Sequence, residues 1–521
     1  MNAISTIDAP ATEMHLRWRI TPLPLFLGLT TLALAVRLIG LGSRPLWLDE
    51  GYSAWFSAQT WHVLWTEVPN YEPHPPFYYS LLKLWRGAFG GSAIALRLSS
   101  VLIAVATIPV VIAASHELER LRPSGRPLFR AAIASFLVAA SPMLVMLGQE
   151  ARPYPLLIFA YALATWGLLR LLREFKASGP GSWKSWLALA AGTSLNLWAH
   201  GLGILYATCL AVALIPAWLK RPVGGDRIFR GAATALVILL IYAPCLAIIL
   251  GRAGDWRGSG WLTWKPEMML QLVSLYTVPI EVLTVGSAVA ALVLILLTKR
   301  AIDDGMRISG WTAERALLLL WWGPPILAIL ISQLAIPVFL PRTLTPTLVP
   351  AYLALSGVLA RLDSSRERAM LSAALCITLL PSSVAMGFRP ATEEWNAVGA
   401  YLHREVQVGD RVWLYPNDSA LPLREAGYAD AEQGIPGNYP ATAYKGPIRA
   451  GSPAVVSLTV AQAHQLAVKA ARDNAAVIWL LTRQSAIFDP RGDVPRELAK
   501  VRRAGKMREW GYINVQPYYR R

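Results

Sequence analysis

Residues 23–41 read LPLFLGLTTLALAVRLIGL, an apolar run whose one charged residue is Arg37. About 20 apolar residues in a helix cross the hydrocarbon core of a bilayer. The run is too long for the apolar core of a signal peptide, and residues 1–20 before it are polar. The sequence therefore predicts a first membrane helix at 21–41 that follows a cytoplasmic segment at 1–20.

Apolar blocks of similar length recur along the chain. Of its 521 residues, 55% are hydrophobic and 16% are charged, whereas soluble globular proteins carry roughly 25% charged residues. We therefore predict an all-α polytopic membrane domain of about 11 spans. The predicted spans are 21–41, 97–117, 131–148, 155–172, 186–200, 201–219, 231–250, 281–298, 316–334, 343–360 and 370–387.

The basic residues predict how these spans are oriented. The net charge is +17, and Lys and Arg cluster in alternate short loops, for example at Arg120, Arg122, Arg126 and Arg130 after the second span. Short basic loops stay in the cytoplasm, so topology accounts for the charge and no nucleic-acid partner is indicated. The apolar stretch at 75–89 is predicted to be an interfacial helix, because a crossing there would turn every later basic loop outward.

This topology leaves four segments on the outer side: the loop at 42–96, the turn at 148–154, the loop at 251–280 and the tail from 388 onward. The tail lacks long apolar blocks and predicts a small soluble α/β domain. Its predicted elements are helices at 393–406 and 459–471 and strands at 411–415, 454–458 and 475–482.

Three acidic residues stand at the predicted outer surface. Asp49 and Glu50 follow the first span in WLDEGY, and Glu150 lies beside Gln149 and Arg152 in the short turn GQEARPY. Acids beside a membrane are costly to desolvate, which favours a general base or a metal ligand. The alternatives are a solvated loop start or an interfacial pair for the first two acids and an interfacial salt bridge for Glu150.

The same surface collects candidate ligands for an anion. His74, in EPHPPFYY, opens a helix after a rigid turn, and the positive end of a helix favours phosphate. Arg152 adds a planar guanidinium, His200 ends the fifth span, and Arg342 starts the tenth. Each alone could be structural, as a turn histidine or an arginine reaching for the lipid surface. Their position on one side of the membrane favours a common site.

Such a set of residues suits glycosyl transfer from a phosphate carried by a lipid. An acceptor hydroxyl is a weak nucleophile that needs a carboxylate base. A leaving phosphate anchored in the bilayer needs cationic groups at membrane depth. The alternatives are a transporter or flippase of a lipid-linked substrate and a non-catalytic scaffold. A transporter would more often show inverted repeats and charges near the middle of the membrane.

Six stretches carry a resemblance to a known family: PLWLDEGYSAWF, HPPFYYSLLKLW, ALRLSSVL, GQEARPYPL, LWAHGLGIL and PVFLPRTLTP. In their order and spacing they resemble the bacterial members of the GT-C glycosyltransferases, over roughly residues 20–390. This group is related to protein O-mannosyltransferases, lipid A aminoarabinose transferases and rhizobial galacturonosyltransferases. Gly148 stands where Ser is expected, and Thr343 stands where an aromatic residue is common, which leaves the donor sugar open.

The resemblance implies a GT-C-like transmembrane domain at 21–387 with the outer loop at 42–96, and a periplasmic α/β domain at 388–521. It implies a multi-pass protein of the bacterial inner membrane that takes a sugar from a polyprenyl-phosphate carrier, with inversion. The acceptor would be lipid A or its core, a polysaccharide or a protein.

The resemblance also assigns roles to residues. Asp49 would be the general base, with Glu50 beside it and Glu150 as a second acid. The donor-binding positions would be His74, Gln149, Arg152, Tyr154, His200 and Arg342. A divalent cation at Asp49 and Glu150 is a further hypothesis, since metal use differs within the wider fold.

Overall fold

A computed structural model describes residues 23–70, 72, 74–220, 224–251, 267–276, 285–307, 310–428 and 459–521. The predicted cytoplasmic segment at 1–20, most of the loop at 251–280 and the predicted strand at 454–458 lie outside these residues. Within the described residues, a helical domain is followed by a smaller α/β unit at the C-terminal end.

The helical domain is built from sixteen described helices, of which several are too short to cross a membrane. They are α1 (Leu23–Leu38), α2 (Leu48–Ala58), α3 (Trp61–Thr66), α4 (Phe77–Phe89), α5 (Ala93–Leu121), α6 (Pro127–Ala139), α7 (Pro142–Gly148), α8 (Tyr154–Lys176), α9 (Trp183–Ala199), α10 (Gly203–Trp218), α11 (Gly225–Leu250), α12 (Met268–Tyr276), α13 (Val285–Arg307), α14 (Ala313–Leu334), α15 (Leu348–Arg361) and α16 (Ser365–Met386). A 3-10 helix at Pro341–Thr347 leads directly into α15.

Six segments of the described chain are long and apolar enough to cross a membrane: α5, α8, α11, α14, the continuous segment Pro341–Arg361 and α16. The pair α6 and α7, bent by 55°, would make a seventh. The protein is therefore a multi-pass membrane protein. Every predicted span overlaps a helix, but α1 and α10 are short, so the number of about 11 crossings stays a prediction.

The surface of the helical domain suits contact with lipid. On α11 the side chains of Leu236, Leu239 and Leu240 are exposed. A contiguous exposed apolar surface of this kind is typical of contact with lipid rather than with water. By contrast, α8 is buried along most of its length and packs against α5, α9 and α10. The helix α8 therefore forms the centre of the domain, while α11 lies at its rim.

Helices α2, α3 and α4 lie in the loop predicted to be outside. The sequence predicted a helix at 75–89, and α4 covers Phe77–Phe89. One face of α4 is buried against α2 and α5 through Tyr78, Tyr79 and Leu82, whereas Leu84 is exposed. This amphipathic arrangement agrees with a helix at an interface, although its depth in a membrane stays a prediction.

The C-terminal unit is a sheet with helices on both faces. Its described helices are α17 (Trp395–Glu405), α18 (Ala420–Glu425), α19 (Val460–Arg472), α20 (Ser485–Phe488) and α21 (Asp493–Val501). Its described strands are β1 (Arg411–Tyr415), β2 (Val477–Arg483), β3 (Arg503–Ala504), β4 (Arg508–Trp510) and β5 (Ile513–Tyr519).

The strand order is β1-β2-β5-β3, with β4 also paired to β5. Strands β1 and β2 run parallel, and β5 is antiparallel to its neighbours. Both faces of β1 and β2 are buried, by α17 and α18 on one side and by α19 and α21 on the other, as expected for a parallel pair. An α/β fold for the tail is therefore observed, and four of its five predicted elements lie close to observed ones.

The C-terminal unit packs directly on the helical domain. Helix α18 contacts α2, and Leu421 is buried within the core of the helical domain. The contact is close, because a Cβ atom at Gly51 of α2 would lie 3.2 Å from the backbone nitrogen of Pro422. The helix that begins the outer loop is thus held between the two parts of the protein.

Candidate active site

Five separate segments bring predicted site residues together. Asp49 lies in the first turn of α2, Arg152 in the turn between α7 and α8, and Arg342 in the 3-10 helix before α15. His74 precedes α4, and His200 separates α9 from α10. Prolines at the starts of α4, α8 and the 3-10 helix fix where those turns end. The candidate side chains therefore lie at helix boundaries rather than within spans.

The Asp49 carboxylate lies between two arginines. Its Oδ2 atom is 3.1 Å from a guanidinium nitrogen of Arg342 and 3.7 Å from one of Arg152. Arg152 also donates a hydrogen bond of 3.0 Å to the backbone carbonyl of Asp49. The side chain of Arg152 is 5% exposed, whereas that of Asp49 is 22% exposed, so the carboxylate remains the more accessible group. Two cations share one carboxylate oxygen, which leaves positive charge available to a second anion.

Both arginines also keep unused hydrogen-bond donors. The Nε atoms of Arg152 and Arg342 are buried and have no hydrogen-bond partner among the described residues. The Arg342 guanidinium lies 5.4 Å from the ring centre of Trp47 and 6.0 Å from that of Tyr154, where cation–π attraction helps to hold it. An unsatisfied buried donor costs about 1–3 kcal/mol, and a phosphate oxygen would supply the missing acceptor.

The rings of the two predicted histidines lie against each other beside the arginines, with their centres 4.1 Å apart and their planes inclined by 43°. Burial lowers the pKa of His74 well below its ordinary value, and His200, Arg152 and Arg342 lower it further, so His74 is neutral at pH 7. His200 accepts a hydrogen bond from the backbone N–H of Leu202 at Nδ1, which places its proton on Nε2. That Nε2 is buried without a partner in the described chain, so His200 can donate to a substrate oxygen.

Glu72 belongs to the site, although the sequence analysis gave it no role. Its side chain is 9% exposed, and Oε1 accepts a hydrogen bond of 3.2 Å from the backbone N–H of His74. Burial raises the pKa of Glu72 to about 7, against the opposing influence of the Arg152 charge. Glu72 is therefore the acid of the site whose charge changes near neutral pH.

Glu50 lies behind the site in a buried ion pair. It is fully buried, and Arg97 of α5 donates to Oε1 at 2.8 Å and to Oε2 at 2.6 Å. The backbone N–H of Ala151 donates to the same carboxylate at 2.9 Å. Glu50 thus ties α2 to α5 and to the turn that carries Arg152.

Gln149 and Glu150 lie in the same buried layer as Glu50. The Gln149 amide is completely buried; it donates to the carbonyl of Ile39 at 2.7 Å and accepts from Arg389 at 3.1 Å. Glu150 pairs with Arg389 at 3.2 Å, and burial raises its pKa. In this structure both side chains bind protein groups rather than the arginine pair at Asp49.

The residues described do not fit a divalent cation at Asp49 and Glu150. Asp49 already faces Arg152 and Arg342, and Glu150 faces Arg389. A guanidinium repels a metal ion at the same oxygen. Across the described ranges, no group of three or more His, Cys, Asp and Glu side chains is arranged to hold a metal.

Some site residues had a signal in the sequence and others had none. Arg97 is a lone charge at the outer end of an apolar span, where a charge usually pairs with an anion or with backbone carbonyls, and Glu50 is an acid of the adjacent loop. Glu72 stands next to the motif that contains His74. Arg389 lies in the tail, and its contact with Glu150 joins residues 239 positions apart, so no local pattern could reveal it.

Comparison with known proteins rests on structure alone. No family model and no curated protein matches the sequence. ArnT from Cupriavidus metallidurans bound to undecaprenyl phosphate is 15% identical, with a TM-score of 0.59 over 95% of this chain and 97% of that one. Archaeoglobus fulgidus AglB, an oligosaccharyltransferase in complex with an inhibitory peptide and a dolichol-phosphate, is 14% identical, with a TM-score of 0.55 over 91% of this chain and 72% of that one.

A third similar structure is much larger than this protein. The mycobacterial arabinofuranosyltransferase AftD is 13% identical, with a TM-score of 0.51 over 96% of this chain and 40% of that one. All three are GT-C glycosyltransferases, and the similarity to ArnT extends over nearly the full length of both chains. The expected fold is confirmed: the chain has the GT-C fold.

Proposed function

We propose that the protein is a membrane glycosyltransferase that moves a sugar from a polyprenyl-phosphate carrier to an acceptor on the outer side of the membrane. The observation that carries this proposal is the Asp49 carboxylate held by Arg152 and Arg342, two arginines that retain buried, unused donors. The site pairs a base with an anion-binding group, as glycosyl transfer from a phosphate requires.

The arginine pair and His200 would bind the phosphate of the donor. Guanidinium groups suit phosphate because they present parallel N–H donors, and the Nε2–H of His200 adds a neutral donor. Solved structures with the same fold support a lipid phosphate as the ligand, since ArnT is bound to undecaprenyl phosphate and AglB to a dolichol-phosphate. Tyr154 would help to hold Arg342 in place.

Asp49 would act as the base in a single displacement. The acceptor oxygen forms a bond to the anomeric carbon of the sugar, and its proton passes to the Asp49 carboxylate. The bond between that carbon and the phosphate oxygen breaks, and its electron pair stays on the phosphate, where Arg152 and Arg342 stabilise the added charge. Attack opposite the leaving phosphate inverts the anomeric centre.

Donor binding would also prepare the base. Without substrate, Arg342 binds Asp49 at 3.1 Å, and an ion-paired carboxylate is a poor proton acceptor. A donor phosphate competes for the same guanidinium, which weakens its hold on Asp49. The carboxylate becomes basic only when a sugar is present to be transferred.

The buried acids would position the site rather than react. Glu50 fixes α2 through Arg97, and Glu150 ties the turn of Arg152 to Arg389. We propose that the helical domain covers 21–387 and lies in a bacterial inner membrane, with residues 1–20 in the cytoplasm and the α/β domain at 388–521 in the periplasm. The acceptor is a lipid, a glycan or a protein.

The test is transfer by purified protein in lipid nanodiscs. A panel of polyprenyl-phosphate sugars is combined with an envelope extract as acceptor, and products are identified by mass spectrometry. We expect transfer by wild type and by Asp303→Asn, a matched change at an exposed aspartate, and none by Asp49→Asn. If Asp49→Asn transfers sugar as fast as wild type, Asp49 is not the base. If wild type transfers no sugar with any donor and extract, the proposed reaction is refuted.

A further inference from the structure

The N-terminus of α2 lacks a cap from its own segment. Its N-cap residue, Trp47, makes no side-chain capping hydrogen bond, although the first backbone N–H groups of a helix need acceptors. The N–H of Leu48 instead donates to Oε2 of Glu393 at 3.0 Å. The acceptor comes from the C-terminal unit, and the capped residue directly precedes Asp49.

Glu393 is itself held in one orientation. Its Oε1 accepts a hydrogen bond of 2.9 Å from Arg483 at the end of β2, and its Oε2 accepts one of 2.8 Å from Nε1 of Trp395. The carboxylate is 2% exposed, and the side chain of Arg483 is 5% exposed. With the bond from Leu48, both carboxylate oxygens are engaged. The negative charge also lies at the positive end of the α2 dipole, where it is favoured.

A second group of contacts fixes the rotation of α2. One turn after Leu48, the Tyr52 hydroxyl donates to Oδ2 of Asp418 at 3.3 Å, and Gly51 lies against Pro422. Asp418 follows β1 just as Arg483 ends β2. Open α/β sheets bind their ligands beyond the carboxyl ends of parallel strands, and here that edge holds the helix of the proposed base.

We propose that Glu393 is a positioning residue that sets the place of Asp49 by capping α2 from the C-terminal unit. This inference rests on the proposed function, because it assigns the tail domain a part in the same transfer reaction. Asp49 makes no described hydrogen bond or ion pair with the C-terminal unit, although its charge acts on Arg483 and Asp418 of that unit. The cap would therefore act mainly through the backbone of α2. A displaced base slows attack. Arg152 and Arg342 contact Asp49 but are carried by other elements and keep their buried Nε donors, so donor KM should change less than kcat.

The test compares two adjacent glutamates in nanodiscs. Glu393→Gln keeps the size of the side chain but removes a carboxylate that accepts three hydrogen bonds. Glu394→Gln makes the same change at a side chain that makes no described hydrogen bond or ion pair. For Glu393→Gln we expect kcat to fall by roughly 10- to 100-fold with donor KM within about twofold of wild type. Glu393→Asp should recover part of kcat, and Glu394→Gln should match wild type.

Hydrogen exchange of the peptide spanning α2 gives a second readout that is independent of catalysis. We expect its amides to exchange faster in Glu393→Gln than in Glu394→Gln or wild type. Unchanged exchange, unchanged kcat, or a loss of donor affinity in parallel with kcat would each overturn the proposal. If wild type transfers no sugar at all, the proposed function fails. Faster α2 exchange in Glu393→Gln would then still support the cap, and unchanged exchange would refute both.

Discussion

Two adjacent acids should respond in opposite ways to the same small change. Asp49→Asn and Glu50→Gln each replace a carboxylate with an amide of nearly equal size. We expect Asp49→Asn to leave a stable protein that transfers no sugar. We expect Glu50→Gln to unfold faster, because its carboxylate anchors α2 in the interior. The two variants therefore separate a reacting group from a positioning group.

The environments of the two side chains set the size of each effect. Glu50 is completely buried, and its partner Arg97 is 2% exposed. Breaking a buried ion pair costs about 3–5 kcal/mol. The lower end applies here, since Arg97 also donates to the carbonyls of Leu41, Arg44 and Pro45. Asp49 is 22% exposed, and a partly exposed pair contributes about 0–1 kcal/mol.

The assay is the rate of irreversible unfolding at a fixed temperature, followed by intrinsic tryptophan fluorescence in detergent. A loss of about 3 kcal/mol corresponds to a factor of roughly 100 in an equilibrium, and up to that factor in the unfolding rate. Asp49→Asn should stay within about fivefold of wild type. A Glu50→Gln variant that is as stable as wild type yet inactive would contradict this assignment, because the Glu50 carboxylate would then belong to the chemistry.

Three further predictions concern the charges around Asp49. Arg342→Gln removes the proposed charge-assisted hydrogen bond to the donor phosphate, which is worth about 1.5–3 kcal/mol. Initial rates should therefore show donor KM raised by roughly 10- to 100-fold. The control Arg366→Gln, at an exposed arginine, should leave donor KM unchanged. Glu72, with its pKa raised to about 7 by burial, is neutral below that pH and anionic above it, where it repels phosphate. Donor KM should therefore rise several-fold as pH increases through about 7. If the donor KM of Glu72→Gln still rises as pH increases through about 7, this assignment is contradicted. Glu150→Gln and Arg389→Gln should each shorten the unfolding half-life. The double variant should shorten it by less than the sum of the two single effects, with a coupling of about 0.5–3 kcal/mol in a double-mutant cycle.

Local patterns predicted much of the architecture. The apolar blocks located helices correctly, since a hydrophobic run long enough to span a bilayer has few other stable conformations. The strand at 411–415 was predicted with its observed limits. The antiparallel strands β3, β4 and β5 were not predicted, because they are short or only partly alternating and gain stability from pairing within the sheet. The docking of the tail on α2 depends on contacts between residues more than 340 positions apart, which no local pattern encodes.

The different contacts of Asp49 and Glu50 show why a sequence motif alone does not assign a role to each of its residues. Neighbouring side chains on a helix point about 100° apart, so the first turn of α2 directs Asp49 toward the arginine pair and Glu50 toward Arg97. The contacts with Glu393 and Asp418 fix which direction each side chain takes. On the proposal made above, the contacts of the C-terminal unit with α2 determine which of the two neighbouring carboxylates faces the arginine pair.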